Sequence, residues 1–229
     1  SYVNYQKLVR ILADESPERI VELEHFGSIF EHLEDGSYNL GTYSGHTYPR
    51  NVSRSDGRGG LEIMKGLAGE AWRLDVKICE CTMATRLITY NGSIVGATAV
   101  DIRHGDFILI KAKSVIIATG GSSWVYPRTN CPTERTGDGF AMAYEAGAAL
   151  IEMEMFGFYC GWTYPRCWAG TAVPVDRDPS PHLYNSLNER FMIKRDPDHA
   201  EMTTWDRLVR SIVREVREGR GTEHGGVWA

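Results

Sequence analysis

Apolar residues recur every three or four positions in several segments, which predicts helices there. Residues 2–13 carry the first such pattern, and Ser16-Pro17 then marks a second helix, because proline is favoured in a first helical turn. Gly27 follows as a suitable C-terminal glycine. Residues 61–73 and the segment from residue 200 predict two further amphipathic helices. The apolar stripe of the last helix consists of Leu208, Ile212 and Val216.

The apolar pattern changes to a period of two from residue 76, which predicts β-strands. Residues 76–90, 91–102 and 105–120 are three successive predicted strands, with Asn91-Gly92 as the first turn. An alanine-rich helix follows Gly139. This order of elements predicts an α/β fold that is α+β in part.

Two long segments are predicted to be irregular. Residues 36–60 are rich in Gly, Ser and Asn, and they leave room for two short strands. Residues 156–182 are rich in proline and aromatic residues. We place a domain boundary at this change of composition, between residues 1–155 and 156–229.

Composition narrows the functional classes. The 229 residues are 42% hydrophobic with a net charge of -5, which is typical of a globular protein and gives no basic surface for nucleic acid. No apolar run is long enough to span a membrane directly. Five cysteines without framework spacing indicate reduced thiols and a cytoplasmic protein. Cys79 and Cys81 are expected to be small buried residues, and no metal site is predicted.

A glycine-rich stretch between residues 114 and 150 carries the clearest chemistry. It begins with Gly120-Gly121 after an apolar segment and ends with Thr136-Gly137-Asp138-Gly139 before the alanine-rich helix. Glycines expose bare backbone to a neighbouring body, and an aspartate accepts hydrogen bonds from sugar hydroxyls. The alternative is a tight turn with an ordinary capping aspartate. No GxGxxG follows a first strand, as a self-contained dinucleotide fold requires.

Several stretches together resemble a central section of the succinate dehydrogenase/fumarate reductase flavoprotein family, which also includes L-aspartate oxidase. The matching stretches are IVELEHFG, SGHTYPR, SDGRGG, TRLITYNGSIVG, SVIIATGG, TGDGFAMAYEAGAALIEMEM, LYNSLNERFM and RSIVREVREGRG, in family order. The resemblance implies part of a glutathione-reductase-type FAD-binding domain in residues 1–155 and the start of a capping domain in 156–229. It also implies that the nucleotide-binding βαβ start of the family precedes Ser1.

The resemblance assigns cofactor roles to particular residues. Thr119, Gly120 and Gly121 are expected near the phosphate and ribose of FAD. Gly137 and Asp138 are expected at the cofactor hydroxyls, with Asp138 as the acceptor. Met83 and Ala84 are expected to flank the adenine.

The resemblance also implies a reaction and partners. In the family, a hydride moves between the flavin and a small dicarboxylate, and an iron–sulfur subunit transfers electrons. The protein is therefore expected to be peripheral to a membrane only through partner subunits. The isolated chain is expected to be inactive.

Two positions depart from the family pattern. Tyr159 stands where the family has a carboxylate-binding histidine, and Trp205 stands where it has a proton-transferring arginine. Thr171 is the nearest match to a substrate-binding threonine. Three explanations stay open: a substrate other than a simple dicarboxylate, a charge relocated to the loop at 156–182, or loss of oxidoreductase activity. The candidates for a relocated charge are Arg166, Arg177 and His182.

A different class of function is a non-catalytic module that docks an iron–sulfur partner. Its support is the run of arginines on the last predicted helix, although a charged helix face is more often simply solvated. These arginines are Arg207, Arg210, Arg214, Arg217 and Arg220.

Overall fold

The computed structural model describes residues 3–43, 45–53, 59–127, 129–162, 164 and 180–229. Contacts divide the chain into two compact units, one of Lys77–Phe156 and one that joins Ser1–Val76 to Gly157–Ala229. The boundary at residue 156 between a FAD-binding and a capping part stays a prediction.

The unit of Lys77–Phe156 contains a three-stranded antiparallel sheet. Strands β3 (Thr82–Tyr90), β4 (Ser93–Asp101) and β5 (Phe107–Lys111) pair in the order β3-β4-β5. Asn91 and Gly92 both have positive φ, at 50° and 75°, which is the geometry of the two-residue hairpin turn predicted there. Helix α3 (Asp138–Glu145) packs against β3. The predicted alanine-rich helix is thus confirmed.

The predicted third strand is wrong beyond residue 111. Residues 112–122 belong to no strand, and Ile116 in the predicted apolar run is 92% exposed. A strand needs a hydrogen-bonded neighbour, and no described strand pairs with this segment. Cys79 and Cys81 also differ from expectation, because both precede β3 and are exposed.

The other unit begins with one continuous helix, where two were predicted. Helix α1 spans Gln6–His25 with Pro17 inside it. The side chain of Ser16 donates to the Leu12 carbonyl at 2.5 Å, which supports the helix across the proline. The C-terminal Gly27 is confirmed, with φ of 95°.

Helix α2 confirms the predicted amphipathic helix and packs against α1. It spans Gly59–Arg73, and Gly66 lies so close to Ser28 that a Cβ would overlap the Ser28 hydroxyl. That hydroxyl donates to the Glu62 carbonyl at 2.9 Å. The short strands β1 (Leu40–Gly41) and β2 (Asn51–Val52) pair between the two helices in sequence, as predicted.

The C-terminal part of this unit holds a hydrophobic core. Helices α4 (Met192–Arg195) and α5 (Trp205–Glu215) are separated by a 3-10 turn at Ala200–Met202, and a π-helical turn follows at Val216–Arg220. Leu208 of the predicted stripe is fully buried. The buried residues of this core are Cys160, Leu183, Phe191, Met192 and Leu208.

The described residues form a mixed helix and sheet structure in which every strand pair is antiparallel. The α+β part of the prediction is therefore what these residues show. No helix in the described ranges has both the length and the apolar character to cross a bilayer.

Candidate functional site

The two glycine motifs lie against each other in the unit of Lys77–Phe156. A Cβ on Gly139 would overlap the Thr119 side chain, and a Cβ on Gly137 would lie 2.7 Å from the Ser122 Cβ. Gly137 also has φ of 85°, where other residues are strained. Close packing within this chain therefore accounts for the glycines at 137 and 139, and the cofactor role of Gly137 stays a prediction.

Gly120 and Gly121 behave differently, because their backbone faces open space. No atom lies within 4 Å of a Cβ built on Gly121. A Cβ on Gly120, whose φ is 74°, would meet only the Arg135 Nε at 3.6 Å. An open diglycine turn is where another body can lie directly on the backbone, so this part of the predicted site fits FAD.

Asp138 is the first residue of α3, and its exposed carboxylate accepts a hydrogen bond from the Thr136 hydroxyl. A carboxylate at a helix N-terminus also interacts favourably with the helix dipole. The N-cap residue is Gly137, so the alternative interpretation of Asp138 as an ordinary capping aspartate is wrong. The role of Asp138 at a cofactor hydroxyl stays a prediction.

Met83 and Ala84 lie near the start of β3, and neither takes part in the glycine contacts described above. They pair with Val100 and Ala99 on β4. Met83 is 48% exposed, which leaves its side chain accessible. Their role at the adenine stays a prediction.

Arg135 is a feature that the sequence interpretation missed. Its Nε lies near Gly120, and its Nη1 lies 3.9 Å from the Cys131 Sγ. Hydrogen bonding with Ser123, together with Thr129 and the Arg135 charge, holds the pKa of Cys131 below its ordinary value. Arg135 thus places a cation beside the open glycines. Its position directly before the second glycine motif was the available signal.

Tyr159 and Trp205 are brought together in the other unit. Their ring centroids are 4.2 Å apart with an interplanar angle of 32°. Trp205 is the first residue of α5 and packs against the hydrophobic core, while Tyr159 is 41% exposed. Two positions that are 46 residues apart in the sequence (205 minus 159) thus form one aromatic pair.

The other predicted substrate residues are only partly described. Arg166, Thr171 and Arg177 lie outside the described residues. His182 is described, and its ring centroid lies 6.5 Å from that of Tyr184.

A cavity of about 450 Å³ adjoins Tyr159 in the same unit. Most of its described lining comes from residues 159–162 and 164, from α5 and from residues 222 and 224–229. Leu183 of the core forms part of its wall. The sequence interpretation did not find this cavity, because no single segment carries it.

The arginines on and after α5 are mostly held in ion pairs within the chain. Arg207 pairs with Asp196 at 3.1 Å, and Arg210 pairs with Asp206 at 2.9 Å. Further along the chain, Arg214 and Arg220 pair with Glu218 and Glu215. These internal pairs reduce the positive charge that a docking surface would offer a partner.

Comparison with known proteins gives matches along almost the whole chain. A family model of the FAD binding domain matches residues 2–228. A fumarate reductase (CoM/CoB) subunit of Methanothermobacter marburgensis is 39% identical over 229 residues, covering 99% of this chain and 42% of that relative. The chloroplastic L-aspartate oxidase 2-b of Nicotiana tabacum is 31% identical, covering 98% of this chain and 36% of the relative.

A solved structure agrees with these sequence matches. A mutant of the E. coli quinol fumarate reductase FrdA has a TM-score of 0.85 at 21% identity, covering 97% of this chain and 40% of that chain. At this identity the match establishes the fold. The chain thus spans about two fifths of the length of the proteins it resembles.

Proposed function

Because this chain belongs to the succinate dehydrogenase/fumarate reductase flavoprotein family, whose members bind FAD, we propose that the full-length protein is an FAD-dependent oxidoreductase. We further propose that its substrate is not a simple dicarboxylate. The cofactor part of the proposal is supported by the open glycines and Asp138, and the substrate part by the Tyr159–Trp205 pair.

The aromatic pair carries the substrate argument. A dicarboxylate is a dianion, which needs fixed cations or strong donors around its two carboxylates. The rings of Tyr159 and Trp205 are in tilted contact at the positions where the resemblance expects a histidine and an arginine. Tyrosine and tryptophan each donate one hydrogen bond from a neutral side chain. The pair therefore offers uncharged aromatic surface in place of two charged groups.

The cofactor part of the proposal uses this chain's own residues. Gly120 and Gly121 would contact the phosphate and ribose region of FAD through their exposed backbone, with Arg135 as a neighbouring cation. Asp138 would accept a hydrogen bond from a cofactor hydroxyl. FAD, when bound, supplies the hydride chemistry.

An iron–sulfur subunit is the electron partner that the family resemblance suggests. The alternative, a module without catalysis that only docks such a partner, is weakened by the ion pairs of Arg207 and Arg210 within the chain. Any association with a membrane would then run through partner subunits.

The test is an assay of full-length protein with reduced viologen and fumarate. We expect wild-type turnover to be slow, because loss of a positioned acid commonly costs about 10²–10⁴-fold. The double variant Tyr159→His with Trp205→Arg should be faster. A matched control is Tyr144→His with Trp72→Arg, since both side chains are largely exposed, at 69% and 71%, and are assigned no role in the site.

Two outcomes would contradict the proposed substrate class. Fast wild-type turnover of fumarate would show that a dicarboxylate is accepted. If that turnover disappeared in Arg166→Ala, the charge would have moved to the loop at 156–182. Purified full-length protein without the visible absorbance of flavin would contradict the oxidoreductase proposal itself.

A further inference from the structure

The cavity beside Tyr159 has an aromatic wall. The rings of Tyr164 and His224 stack with centroids 3.9 Å apart and an interplanar angle of 9°. Trp228 meets His224 edge-on at 6.1 Å. Trp162 lines the same cavity. Stacked and edge-to-face rings of this kind form flat surfaces that suit another planar group.

Another part of the cavity lining is aliphatic. It is formed by α5 through Val209, Ile212 and Val213, with Leu183 of the core beside them. These branched side chains have no hydrogen-bonding groups, so they give no compensation to a polar ligand that loses its water.

The described lining residues include no Asp, Glu, Lys or Arg side chain, so these residues supply none of the fixed cations that a dianion needs. Burial raises the pKa of the Cys160 thiol to about 12, which keeps it neutral at physiological pH. The polar groups of the lining side chains are the hydroxyls of Tyr159, Tyr164 and Thr222, the ring nitrogens of Trp162, Trp228 and His224, and the Cys160 thiol. An aromatic and aliphatic lining of this kind, with no charged side chain, suits an uncharged planar group.

We propose that this cavity binds the aromatic ring of the substrate, and that the substrate is therefore an aryl-bearing monocarboxylate. This inference rests on the proposed function, because it names the substrate class of the oxidoreductase. Tyr159 connects the cavity to the aromatic pair, since it lines the cavity and its ring also contacts that of Trp205. A ring in the cavity would replace one carboxylate of the dianion that the family binds.

The test compares cinnamate with fumarate, because cinnamate is fumarate with one carboxylate replaced by a phenyl ring. Binding to the purified full-length protein is measured by isothermal titration calorimetry. We expect cinnamate to bind saturably and about tenfold or more tighter than fumarate, a difference of about 1.4 kcal/mol.

Variants on α5 locate the binding site. Val213 is 41% exposed and lines the cavity, so Val213→Trp should fill the cavity without disrupting the core. We expect this variant to weaken cinnamate binding about tenfold or more. Arg210→Trp is the matched control on the same helix; it lies outside the cavity lining and should bind like wild type. His224→Ala, which removes part of the aromatic wall, should also weaken binding.

The outcomes separate the inference from the proposed function. Absence of saturable cinnamate binding, or equal binding in wild type, Val213→Trp and His224→Ala, would overturn the aryl site. The flavin absorbance of the same samples reports on the oxidoreductase proposal independently. A colourless protein with the expected cinnamate pattern would keep the cavity assignment and contradict the enzyme, whereas a yellow protein without that pattern would do the reverse.

Discussion

The glycines of the two motifs between residues 114 and 150 differ in their surroundings. The difference is seen in the atoms that a Cβ would meet at each position. Because Gly139 has no side chain, α3 can pack closely against Thr119. In the same way, Gly137 can lie close to the Ser122 side chain. Gly121 touches nothing nearby. The sequence presents these residues as equivalent members of two motifs, whereas the structure separates packing from exposure.

Gly139→Ala should destabilise the protein because the new methyl group would overlap the Thr119 side chain and lie 3.0 Å from the Ile117 Cγ2. We expect a loss of about 1–3 kcal/mol, the usual cost of overpacking. Urea unfolding followed by circular dichroism measures this loss.

The control for this prediction is Gly69→Ala in α2, where a Cβ would meet no atom within 4 Å. That change should be neutral or stabilising by up to about 1 kcal/mol, because alanine favours a helix. Adding Thr119→Ala to Gly139→Ala should recover part of the loss. Unchanged stability in Gly139→Ala would contradict the close packing of the two motifs.

Some residues of the candidate site could be identified from the sequence alone, and others could not. Tyr159 and Trp205 could be identified because the motifs on either side fix the count of residues, and the structure brings them together. Arg135 and the cavity could not be identified in this way. Their positions depend on the path of a loop and on three segments that meet only after folding.

At the scale of elements, the turn after α5 is tied to α4 through one buried carboxylate. Glu215 is only 2% exposed, and it accepts from Arg220 Nε at 2.6 Å and from Arg195 Nη2 at 2.7 Å. Asn185 donates to it at 3.1 Å. Arg220 belongs to the stretch REGRG, and Asn185 and Arg195 lie on either side of the stretch NERFM, so this network ties REGRG to the residues that flank NERFM.

This network should make stability depend on acid pH. Hydrogen bonds from Arg220, Arg195 and Asn185 lower the pKa of Glu215 from 4.5 to about 2. A carboxylate with a lowered folded pKa contributes stability above its unfolded pKa, and that contribution is lost as pH falls through the folded value. Glu215→Gln should therefore cost roughly 2–3 kcal/mol near neutral pH and progressively less between about pH 4.5 and pH 2.

Urea unfolding near neutral pH and near pH 2 measures the free-energy cost of Glu215→Gln. Tryptophan fluorescence reports the unfolding, since Trp162 and Trp205 pack on the hydrophobic core that contains Leu208. Glu18→Gln is the matched control, because the Glu18 side chain is 78% exposed and its removal should change stability by less than about 0.5 kcal/mol. A difference between wild type and Glu215→Gln that stays constant with pH would contradict the assignment.

Helices and turns that follow from their own residues could be predicted from the sequence. Strands that need a pairing partner elsewhere in the chain could not. The hairpin at Asn91-Gly92 and helix α2 follow from turn chemistry and apolar spacing, and both are confirmed. The segment before Gly120 has the composition of a strand, yet it has no described partner with which to pair. The position of Pro17 predicts a helix start, whereas α1 continues through it from Gln6 to His25. Proline in a first helical turn and proline inside a helix cannot be told apart from the local sequence alone.

For the whole molecule, the match to the FAD binding domain runs over residues 2–228. The chain spans 42% of the length of the fumarate reductase relative from Methanothermobacter marburgensis, and it contains no GxGxxG after a first strand. The pyrophosphate contact of a dinucleotide is normally made by such a motif at a helix N-terminus. The residues of this chain therefore have to be tested as contributors to FAD binding within the full-length protein.

Gly121→Val makes that test, because it places a side chain on backbone that faces open space in this chain. If FAD lies against this backbone, the variant should lose most of its flavin through steric exclusion, although its own fold is not crowded. Gly69→Val is the matched control, since a Cβ at Gly69 also meets no atom within 4 Å and the residue belongs to α2 and to neither glycine motif. Flavin released per protein by denaturation is the measurement, with circular dichroism to verify the fold. Full flavin content in Gly121→Val would contradict the proposal that FAD contacts this turn. An equal loss of flavin in both variants would show a general effect on folding.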